Sequence, residues 1–131
     1  MAGTFVSDTM QDGVGNSTST TNVIQGSAKA WVKFSVSGGV VTVNGGYNMS
    51  SVTRTAQGQF TFVMTTAVSN ANYSVVTSAG LDSSNGTSII PILFWNGADV
   101  TPTTTTFVVR YIAPSSGVAY DPKVVGLVVN D

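Results

Sequence analysis

The chain contains no histidine, no cysteine and no glutamate. Without His or Cys the usual zinc and copper sites cannot be built, nor can a Ser-His or Cys-His nucleophile pair. Disulfides are excluded too, so stability has to come from packing and from association. Charge is scarce: six Asp and five Lys or Arg make up only 8% of the residues, far below the quarter or so that is common. The net charge of −1 provides no attraction for nucleic acid or an anionic membrane. Long apolar runs are missing as well. The longest, Ile89 to Trp95, has seven residues including a proline, far short of a membrane span. The opening "MAGTFVSDTMQDG" has no basic stretch followed by an apolar one, so it does not read as a secretory signal.

Ser and Thr, 34 of the 131 residues, occupy the surface that charge leaves free. Residues 1–26 are polar and rich in Gly, Ser, Thr and Asn, which marks an N-terminal arm or anchoring segment, with a short strand expected at Thr4 to Val6. From residue 27 the texture changes to β-branched and aromatic runs separated by turn residues. The runs are Ala28–Ser37, Val40–Val43, Tyr47–Arg54, Gln59–Thr66, Tyr73–Ala79, Ser88–Trp95, Thr104–Ile112 and Lys123–Val129. The breaks include "SGG", "NGG", "TAQG" and "APSSGVAYDP", in which Gly and Asn supply positive φ and Pro needs no ladder bond. No sustained helical period occurs. An all-β domain over residues 27–131 is expected, an antiparallel β-sandwich or a jelly roll, with the arm attached.

Alternation along "GSAKAWVKFSVS" raises a difficulty. Ala28, Ala30, Val32, Phe34 and Val36 form the core face, which leaves Trp31 on the other face with Lys29, Lys33 and Ser35. "SIIPILFW" and "VVGLVV" are apolar on both faces, and such strands need cover on both sides. A sandwich this small has one core, so the second face must meet a loop, the arm or another subunit. Trp31, Ile89, Leu93 and Trp95 are therefore candidate interface residues, with Lys29 and Lys33 laying their stems beside them or pairing with an Asp of a neighbour. Cover by the chain's own arm, or use of Trp31 as a ligand platform, are the alternatives.

Catalytic readings find little support. Asp82, Asp99 and Asp121 all sit in turns, where Asp is a routine turn former rather than half of a carboxylate pair. Asp8 and Asp12 precede glycines but lack calcium-loop spacing and a terminal Glu. The Gly pairs are followed by no helix and so form no phosphate loop. The expectation is a protein that is not an enzyme, with no catalytic residue, no cofactor and no metal.

Residues 26–76 carry a recognisable pattern. It runs through "AKAW" to Phe34, Tyr47 to Val52 ("YNMSSV"), Gly58 to Val63 ("GQFTFV") and Asn70 to Tyr73 ("NANY"). This block resembles a domain common in tailed-bacteriophage virion proteins of the tail-fibre or virion-structural kind; residues 77–131 add no further motif. The resemblance implies a β-rich, non-catalytic component of the phage particle, usually a homotrimer. A tail-fibre or tail-associated part in host attachment, with host-surface glycans as ligands, is the favoured role. A trimeric capsid decoration protein is the second, with the arm reaching other virion proteins. A third reading, from a different class, is a free-standing carbohydrate-binding module.

Overall fold

A computed structural model describes residues 3, 6–20, 23, 27–80, 89–93 and 101–131, with Ile92 and Leu93 described in their backbone only. The protein is all-β. A hairpin, β1 (Thr9–Gln11) and β2 (Ser17–Ser19), forms a small sheet of its own. The body comprises β3 (Ala30–Ser37), β4 (Val40–Tyr47), β5 (Met49–Ala56), β6 (Gln59–Met64), β7 (Ser74–Ala79), β8 (Ile90–Leu93), β9 (Thr106–Ile112) and β10 (Val124–Asn130). These make two four-stranded antiparallel sheets, ordered β4-β3-β10-β7 and β5-β6-β9-β8.

Period-two patterning builds the core. Ala30, Val32, Phe34 and Val36 of β3 and Val125, Leu127 and Val129 of β10 face Phe60, Phe62 and Met64 of β6 and Phe107, Val109 and Tyr111 of β9. Phe34 bridges the sheets, its ring centroid 5.4 Å from Phe60 and 5.8 Å from Phe62. Phe62 stacks on Phe107 at 5.0 Å. Such ring pairs add about 0.5–1.5 kcal/mol each beyond their buried area. Tyr111 carries a polar atom into this core, and its hydroxyl meets Thr77 Oγ1 across the sandwich at 3.0 Å. Burial pushes the Tyr111 hydroxyl's pKa up, and the Thr77 bond opposes that shift.

Turn chemistry follows the residues. Gly38 and Gly39, with φ of 57° and 80°, close the β3–β4 hairpin with the mirror-image turn that suits twisted strands. Asn48, at φ 54°, lets the chain leave one sheet for the other. Its side-chain amide donates to Lys29 O and Thr66 O and accepts from Thr66 N, so the crossover corner is held from three directions.

One expectation about the chain's punctuation is corrected. "NGG" is not a turn: β4 continues through Asn44, Gly45 and Gly46 to Tyr47, with a β-bulge at Asn44 opposite Lys33 and Phe34. The two glycines also provide room beside Trp31. A Cβ on Gly45 would lie 3.7 Å from the Trp31 ring, and one on Gly46 only 3.1 Å from Trp31 O. Of the strand expected at Thr4 to Val6, Thr4 and Phe5 lie outside the described residues and Val6 is in no strand; the arm's described strands are Thr9–Gln11 and Ser17–Ser19. Asp12 organises the connection between them, its carboxylate accepting from Val14 N, Asn16 N and Asn16 Nδ2.

Candidate interaction face

Register in the β4-β3-β10-β7 sheet sets four side chains in one line across its outer face: Tyr47, Trp31, Val128 and Val76. Tyr47 is 60% exposed, Trp31 36% and Val76 64%, while Val128 is half-buried. The next row is Gly45, Lys33, Gly126 and Ser78. It has a glycine on each side of the lysine, so a trough runs beside the apolar row. Trp31 leans over Gly45, which takes the ring off β10. On its other side the bare Gly126 backbone floors a groove of about 470 Å³, walled by Trp31, Lys33, Val76, Ser78 and Val128. The groove is predominantly apolar, and none of the arm's described residues lines it. No Asp occurs in any of the four strands of this sheet.

The sequence candidates divide on the structure. Trp31 and Lys33 stand together on this face. Lys29 lies before β3, beyond the groove, near Asp131. Ser69 holds the Asp131 carboxyl below the usual carboxylate range, and Lys29 adds to the effect. Ile89 is only 8% exposed, covered within its own chain, which leaves it little to offer a partner. Leu93 belongs to the other sheet, in register with the core residue Val109. Trp95, Asp82 and Asp99 lie outside the described residues. Of the described interface candidates, Trp31 and Lys33 share this face, while Lys29 and Ile89 lie apart from it. The partners that Trp31 does have, Tyr47, Val76 and Val128, come from strands distant in sequence, and only the sheet order places them beside it.

Asp121 proves to be more than a turn former. It binds Arg54 Nε at 3.0 Å and NH2 at 2.9 Å, and accepts the Gly58 N–H at 2.8 Å. The Asp121 contact raises the Arg54 pKa. This ties the β5–β6 turn to the segment before β10 through charge-assisted hydrogen bonds. Among the described residues no group of three or more His, Cys, Asp or Glu gathers at metal-binding distance. None of their helices is long and apolar enough to cross a membrane.

No protein-family model, curated protein or solved structure matches this chain.

Proposed function

We propose that this chain is a structural protein of a tailed-bacteriophage particle, a homotrimeric tail-fibre or tail-associated component that takes part in host attachment and assembles through the Trp31 face. The observation that carries the assembly role is the in-register row Tyr47, Trp31, Val128 and Val76, an apolar band on the outside of a sandwich whose own core lies on the other side of that sheet. Contiguous exposed apolar residues mark places where proteins meet, and Trp and Tyr are enriched there. The phage assignment rests on the resemblance of residues 26–76.

Removing Trp31 tests the assembly role. A Trp side chain presents roughly 250 Å² at most. With 36% exposed, ~90 Å² remains to be covered. At about 25 cal/mol per Å² that is ~2 kcal/mol per copy, or on the order of a 30-fold weaker association for Trp31→Ala. Sedimentation equilibrium reads the shift, and unchanged oligomers would remove the carrying observation. Copy number in purified virions, measured by mass spectrometry against the major coat protein, tests the location. A few to a few tens of copies support the tail; hundreds support capsid decoration; none refutes the virion role.

A second reading has its own observation. The groove over Gly126 opens beside the partly exposed Trp31 ring, an arrangement suited to stacking a sugar ring. It requires a monomer that binds glycans with Trp31 in contact, so Trp31→Ala would abolish glycan binding and leave the sedimentation unchanged.

A further inference from the structure

We propose that the occupant of the Trp31 groove is the arm of a second copy of this chain, so that subunits are joined by exchanged hairpins and not by sheet faces meeting one another. This rests on the reading that the Trp31 face is a contact between subunits, and it names what lies on that face.

Three observations point to the arm. First, the hairpin β1–β2 is under-packed where it stands. Its strands are exposed almost throughout, and two-stranded hairpins alone in water are marginal. The hydrogen bonds of Ser7, Asp12 and Thr20 close within the segment itself. Second, the hairpin segment carries exposed apolar side chains: Val6 at 85% exposure, Val14 at 84%, and Met10 at 51%. Met10 is the adaptable kind of side chain that fills an irregular apolar groove. Third, the charges are complementary. Residues 6–20 contain Asp8 and Asp12 and no cation, while the strands of the receiving sheet contain Lys33 and no anion.

The same charge count argues against the symmetric alternative. Two copies packed Trp31 face to Trp31 face would bring two lysines toward one another with no carboxylate on either set of strands, and like charges at an interface are penalised. An arm passed to the next copy is a head-to-tail contact, which closes a ring when the rotation permits.

The absence of native cysteine makes cross-linking a clean test. Full-length chains carrying Met10→Cys or Val14→Cys are mixed with chains carrying Val76→Cys and oxidised. A disulfide joining two chains of different type is expected for at least one of the two arm positions. A chain carrying both Met10→Cys and Val76→Cys should yield linked multimers. If it instead gives only an internal bridge, the arm covers its own body and the exchange is refuted. Oligomers that form with no arm cross-link at either position also refute it, while the Trp31 contact survives. A monomer in sedimentation refutes both. As an independent check that leaves the core untouched, Lys33→Asp should weaken association about 5-fold, and adding Asp8→Lys in the same chain should restore it. Failure of that rescue, with both variants folded, counts against the pairing of arm and groove.

Discussion

Gly58 and Gly117 share a backbone conformation and differ in their surroundings, which makes them a matched pair for measuring what a close approach is worth. Both have φ near +67°. At Gly117 an added Cβ would meet nothing within 4 Å, so Gly117→Ala should cost only the left-handed penalty, about 1–2 kcal/mol. At Gly58 the same Cβ would lie 2.6 Å from Tyr111 O, 2.7 Å from Tyr120 N and 2.8 Å from Tyr120 O. These are backbone atoms and cannot swing aside as a side chain would. Relief requires moving the turn off β9, which breaks Tyr111 N–H to Gly58 O at 2.7 Å and Gly58 N–H to Asp121 at 2.8 Å, and disturbs Tyr120 N–H to Tyr111 O at 3.1 Å. Three bonds at ~1 kcal/mol each bring the expected loss for Gly58→Ala to ~4–5 kcal/mol. That is a large part of the 5–15 kcal/mol typical of a domain. Urea unfolding of the two variants, followed by tryptophan fluorescence, gives the comparison. Equal losses in the two would refute the argument, because they would mean that the contact seen around Gly58 carries no energy of its own.

Two further predictions concern the same region and the core. Arg54→Ala should cost about 1 kcal/mol, because the ion pair is partly exposed, with side chains 29% and 22% accessible, and is therefore screened. Asp121→Ala should cost roughly 1–2 kcal/mol more, since it also strips the acceptor from Gly58 N–H; a double-mutant cycle in urea separates the two contributions. At high pH, Tyr73 should lose its contribution to stability, alongside the more deeply buried Tyr111. Burial pushes the Tyr73 hydroxyl up to about 12 from an ordinary 10.0, so its contribution is complete below pH 10 and is lost as pH rises toward 12. Urea unfolding of the wild-type chain and Tyr73→Phe across that range should show the steeper loss in the wild type.

The strands that alternate cleanly, such as β3 and β6, were legible because they advertise an inner face. Phe60, Phe62 and Met64 alternate with Gln59, Thr61 and Val63, and all three inner residues reach the core. Gly38 and Gly39 announced their hairpin for the same local reason, the need for positive φ. Gly45 and Gly46 deceived, since a glycine that makes space for a tryptophan on a neighbouring strand looks the same in sequence as one that turns the chain. The Trp31 anomaly was also legible, as a large apolar side chain on the wrong side of its strand. Its setting was not. Ile89 shares with Trp31 only the property of lying in an apolar run, yet it is covered within its own chain. Asp121 shows the converse: its partners Arg54 and Gly58 are more than sixty residues away, and nothing in "AYDPK" points to them.

By itself, then, the sequence determined an all-β body, its strands, their inward faces and the exclusion of histidine- and cysteine-based chemistry, because these depend on residue type and on a period of two. The tertiary structure decided which strands are neighbours. Inserting β10 between β3 and β7 brings Val128 and Val76 alongside Trp31 and puts Gly126 where a groove can open. A row across a sheet is made of residues from separate strands, one from each, so no stretch of chain encodes it. It comes into being only when the hydrogen-bond ladders set the strand order and register.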